Sequence, residues 1–88
     1  MTEREILEQT RKFVTDSFLY MRPGFVLADN DKLMEKGVVD SMGVMELMEF
    51  LTSEFEVTLA DDEITEANLG TLASIAGYVA RKRGAATA

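Results

Sequence analysis

At 88 residues, 47% of them apolar, the chain is large enough for one small core and too short for two. It has neither cysteine nor histidine, which excludes a disulfide framework, a thiolate metal site and the commonest general base. Sixteen acids against nine bases give a net charge of -7, which argues against nucleic acid and anionic membrane surfaces as partners and for basic protein surfaces.

The start of the chain reads as a helix. Thr2-Glu3-Arg4-Glu5 has the form of a capping box, with Thr2 as N-cap and Glu5 reaching back to it. Ile6, Leu7, Thr10, Phe13, Val14, Ser17 and Phe18 then fall on one stripe of a 3.6-residue repeat, while Glu3, Glu8, Arg11, Lys12 and Asp16 lie off it. This amphipathic helix should end before Pro23-Gly24. No basic-then-apolar signal precedes it, and apolar runs such as Phe18-Leu19-Tyr20-Met21 fall far short of a membrane span, so a soluble, cytoplasmic monomer is expected.

From Gly24 to Asp40 no period holds, yet Phe25, Val26, Leu27, Leu33, Val38 and Val39 are too apolar for a solvated linker. A long first loop pinned to the core is predicted. Asp29-Asn30-Asp31 invites a calcium reading that fails on inspection. An EF-hand loop starting at Asp29 would need Asp or Asn where Leu33 stands, glycine where Met34 stands and glutamate where Asp40 stands. A turn or helix-cap role is favoured, and no metal site is expected.

A second helix is predicted from about Ser41 to Glu56. Leu47, Leu51, Val44, Phe55 and Met48 share one arc at roughly 100° per residue and should face the core. Met42, Met45, Glu46, Glu49 and Ser53 share the opposite side, a solvent-facing strip of two methionines with two glutamates that suggests a contact patch. Between Lys36 and Arg81 there is no base at all, against nine acids, so the middle of the chain is acidic. Asp61 to Asn68 suggests one short helix or turn. A last helix should run from Thr71, a possible N-cap, through Leu72, Ile75, Ala76 and Val79 to Arg81-Lys82-Arg83, with Gly84 just past its end and a fraying tail over 84–88.

Ser41 stands where the irregular stretch becomes a helix, at or near the N-cap. A serine nucleophile needs a base within hydrogen-bond reach; the chain has no histidine, and Asp40 is a poor activator of a hydroxyl, so no enzymatic activity is expected. Physical chemistry alone favours Ser41 as a helix cap, although a helix N-terminus also suits a serine-linked phosphate.

The stretch Gly37-Val38-Val39-Asp40-Ser41-Met42-Gly43-Val44-Met45-Glu46-Leu47 resembles the attachment motif of acyl carrier proteins and peptidyl carrier domains. The similarity extends through Phe55-Glu56-Val57 to Asn68-Leu69 and Leu72, Ile75 and Val79, covering about residues 3–83 of a single carrier domain spanning 1–88. It implies an all-α, four-helix bundle of three main helices and one short one. It also implies that Ser41, next to Asp40, carries 4′-phosphopantetheine installed from coenzyme A by a phosphopantetheinyl transferase. The arm's thiol would hold an acyl or aminoacyl thioester. An activating ligase and downstream transferases with basic surfaces would dock on Asp40, Met42, Met45, Glu46 and Glu49. Asp-Ser-Met-Gly is similar to D-alanyl carrier proteins and some free-standing aminoacyl carriers, and leaves a fatty acyl, polyketide or amino acid cargo open. Met48, Phe50 and Ile64 are candidates to line a cargo space, though core packing explains them equally well. The competing reading is an acidic helical adaptor in which Ser41 is only a cap. Gly43 has no evident purpose in the sequence, since glycine loosens a first helical turn by up to about 1 kcal/mol relative to alanine.

Overall fold

A computed structural model describes residues Thr2 to Thr87, with side chains from Thr2 to Gly84. Among these residues four α-helices follow one another: α1 (Glu3–Phe18), α2 (Ser41–Phe55), α3 (Glu66–Leu69) and α4 (Leu72–Thr87). A short 3₁₀ turn, Asp61–Glu63, precedes α3, and no strand occurs among the described residues. The radius of gyration, 12.3 Å, matches the roughly 12 Å of one compact domain of this length. No helix among the described residues is long and apolar enough to cross a membrane.

The capping box at the start of α1 is present in both directions: Glu5 N–H donates to Thr2 Oγ1, and Thr2 N–H to Glu5 Oε1. Ile6, Leu7, Thr10 and Val14 form the buried stripe, and Thr10 satisfies its hydroxyl by donating to Ile6 O at 2.8 Å. This stripe packs most extensively on α4, whose Leu72, Ile75, Ala76 and Val79 are fully buried. α2 contributes Leu47, Leu51 and Phe55 to the same core. An aromatic run links α1 to α2, with Phe13 stacked on Phe50 at 4.2 Å and Phe18 and Phe55 meeting its ends edge-on.

The first loop is pinned as its composition requires. Leu27, Leu33, Val38 and Val39 are buried, whereas Val26 points into solvent. Arg11, which lies off the apolar stripe of α1, binds Leu27 O and Asp29 Oδ1, and Ala73 N–H at the start of α4 donates to Asp29 O. The tempting Asp29 is thus an anchor between α1 and α4, while Asp31 accepts from Ala28 N–H in a turn.

Two boundaries differ from the sequence reading. The stretch from Asp61 to Asn68 is two elements rather than one, because Thr65 caps α3 afresh by accepting from Asn68 N–H. α4 does not stop before Gly84 but continues to Thr87. Gly84 has no left-handed conformation with which to end a helix, and the alanines after it are the best helix formers. Ala88, the end of the expected tail, lies outside the described residues. Thr71 caps α4 as expected, accepting from Ser74 N–H at 3.0 Å.

Candidate functional site

The turn into α2 is built before the serine is reached. Lys32 to Gly37 form a tight turn whose last residue takes φ +70, a conformation costly for any residue with a Cβ. Val38 N–H donates back to Leu33 O and Gly37 N–H to Met34 O, the double closure of a Schellman motif, and Val38 and Leu33 are both buried. Val38 and Val39 then pass through the core, so that the chain emerges at Asp40 and Ser41, both exposed.

Asp40, not Ser41, is the N-cap of α2. Its extended backbone and its Oδ1, which accepts from Gly43 N–H at 2.7 Å, satisfy one of the free donors of the first turn. Ser41 is the first helical residue, and its hydroxyl enters no hydrogen bond with the described residues. Ser41 thus stands next to the N-cap, within the expectation of a place at or near it. The cap function that the adaptor reading gave to Ser41 belongs to its neighbour.

Gly43 is buried, for a reason invisible in the local sequence. A Cβ there would stand 2.9 Å from Phe18 Cε1, 3.2 Å from Asp40 Oδ1 and 3.3 Å from Val39 Cγ1. Glycine thus lets the end of α1 and the capping carboxylate close on the first turn of α2 together. It gains in packing what it gives up in helix propensity.

Met42, Met45, Glu46 and Glu49 all face solvent beside Ser41, with Met42 79% and Met45 67% exposed. Charge is distributed as unevenly in space as in sequence. Arg4, Arg11, Lys12, Lys32, Lys36 and Lys82 form ion pairs within the molecule, Arg22 lies over the Phe25 ring, and Arg83 donates to Phe55 O. Among the described residues Asp40, Glu46, Glu49 and Glu54 enter no ion pair, so the exposed side of α2 carries uncompensated negative charge.

On the other side of the serine, one turn along α2, a cavity of about 220 Å³ opens between Val44 and Leu47 of α2, Leu33, Met34 and Val39 of the first loop, and the segment Ile64 to Gly70. Ile64 lines it, as the sequence allowed; Met48 and Phe50 do not. Phe50 is committed to Phe13 on the α1 side, and Met48 packs against the core. The cavity's loop-borne lining could not be read in advance, because Leu33 and Val39 belong to no periodic pattern.

No protein-family model matches the chain, and no curated protein matches it.

Proposed function

We propose that the chain is a carrier protein whose Ser41 bears 4′-phosphopantetheine and which presents an acyl or aminoacyl group to partner enzymes. The observation that carries this reading is Ser41 itself: an exposed hydroxyl at the first position of α2, relieved of capping by Asp40. The residues present suit the group. A phosphodiester on Ser41 would lie at the positive end of α2, where the N–H groups of Ser41 and Met42 precede the one used by Asp40. The bound arm supplies a thiol, the sulfur nucleophile that a chain without cysteine lacks.

What the chain itself does is hold, expose and orient. Attachment joins the Ser41 hydroxyl oxygen to the pantetheine-bearing phosphate of coenzyme A and releases adenosine bisphosphate, the hydroxyl proton passing to a base of the transferase. Met42 and Met45 supply adaptable contact area to the transferase and the loading ligase. Glu46 and Glu49 orient those partners and speed their approach, each charge being individually weak in solvent. The cavity behind Val44 offers a small apolar group shelter next to the attachment point.

Incubation with coenzyme A and a broad-specificity phosphopantetheinyl transferase, followed by intact-mass measurement, tests the reading. The wild type should gain one arm mass and Ser41→Ala none. If the wild type gains nothing, or the alanine variant gains as much, the carrier function is lost and the acidic adaptor remains.

A further inference from the structure

The cavity wall formed by Ile64, Thr65, Glu66, Leu69 and Gly70 is short and thinly anchored: Thr65 and Glu66 are exposed, α3 buries only Leu69 of its four residues, and the 3₁₀ turn before it buries none. Its two ends are held differently. At the Gly70 end the tie is main chain, Leu33 N–H donating to Gly70 O at 2.9 Å. At the other end it is made by side chains. Glu63 Oε1 accepts from Tyr78 Oη at 2.9 Å and from Lys82 Nζ at 2.9 Å, two residues four apart on one face of α4. Glu63 O in turn accepts from Asn68 Nδ2 at 2.8 Å, so the turn and α3 are joined.

An isolated surface ion pair would hold little. Here one donor is the hydroxyl of Tyr78, which is 3% exposed and rooted in the core, and a buried phenol has a strong need of an acceptor. We infer that Tyr78 and Lys82 are positioning residues that, through Glu63, hold the Ile64–Gly70 wall against α4 and so set how large an apolar group the cavity admits. The inference deepens the carrier reading and rests on it only for what fills the cavity in use; the latch needs the cavity alone. The contact of α4 with α1 and α2 rests mainly on Leu72, Ile75, Ala76 and Val79, which take no part in the latch.

The test is amide hydrogen exchange on the whole chain, with uptake of pyrene, a neutral apolar fluorophore, followed in parallel for wild type, Tyr78→Phe, Glu63→Gln and Ser41→Ala. Tyr78→Phe loses one hydrogen bond and Glu63→Gln the charge that strengthens two, so exchange across Ile64–Gly70 should speed by roughly three- to tenfold in each. Amides of α1 and α2 should change far less, and pyrene uptake should quicken. Glu63→Gln removes no buried atom, so it carries the test if Tyr78→Phe folds poorly. Acceleration spread evenly over all helices, no acceleration, or local acceleration with unchanged pyrene uptake would each overturn the latch. Ser41→Ala should behave as wild type throughout, so the outcome stands apart from whether an arm is ever attached.

Discussion

Asp40 and Ser41 are adjacent, and both residue types cap helices well, so the local sequence alone does not choose between them. What chooses is upstream burial: the glycine turn and the passage of Val38 and Val39 through the core set where the chain surfaces. Replacing Asp40 with alanine should destabilise the fold by about 1 kcal/mol through loss of the cap. Ser41→Ala should stay within about 0.5 kcal/mol while abolishing arm attachment, and urea unfolding midpoints separate the two. Gly43 is the residue that sequence reading missed, because its partner Phe18 lies on another helix. Overpacking at about 1–3 kcal/mol should outweigh the gain in helix propensity. Gly43→Ala should therefore lose about 1 kcal/mol, and adding Phe18→Leu, which removes the ring edge, should recover part of that loss.

At the scale of elements, the two faces of α2 were legible because a 3.6-residue period separates them cleanly. The buried Leu47, Leu51 and Phe55 and the exposed Met42, Met45, Glu46 and Glu49 all lie where the periodicity puts them. Short elements were not legible. A four-residue helix has no period to detect, and the division between the 3₁₀ turn and α3 depends on the single hydrogen bond that Thr65 accepts. The charged face of α2 predicts a kinetic signature. Under the proposed carrier function, Glu46→Lys combined with Glu49→Lys should slow loading by a partner ligase by about tenfold at low salt, with the difference shrinking as salt is added and the helical circular dichroism unchanged. Loading rates that match wild type at low salt would remove the acidic strip from the mechanism.

For the molecule as a whole, periodicity foretold three long helices, but the ties that hold the first loop and the 3₁₀ turn to them are long-range pairs that no local pattern contains. Arg11 reads as a solvated residue and proves to be a loop anchor; Glu63 reads as one more surface acid and proves to join the 3₁₀ turn to α4. Hydrogen bonds from Lys82 and Tyr78 lower the Glu63 carboxyl below its ordinary value of 4.5, and burial with the Glu63 contact raises the Tyr78 phenol to about 12. A carboxyl depressed in the folded state stabilises fully above its unfolded value and loses that contribution as pH falls through the folded one. Urea midpoints should therefore drop on acidification below about pH 4.5, and Glu63→Gln should flatten that drop. The phenol carries the opposite sign: its share persists below its unfolded value near 10 and is lost as pH rises toward 12.

The pairing of α1 with α4 has a consequence for how the chain reaches this state. The contact of α1 with α4 is the most extensive in the bundle, so the main apolar stripe of α1 lacks most of its cover until Leu72 to Val79 have left the ribosome. Helix initiation at Thr2 and the glycine turn before α2 are local and can form early. Closing the core must wait for Leu72, Ile75 and Val79. A nascent chain arrested before Leu72 should accordingly be a ready chaperone client, and release of the remaining residues should convert it to the folded form in a single step.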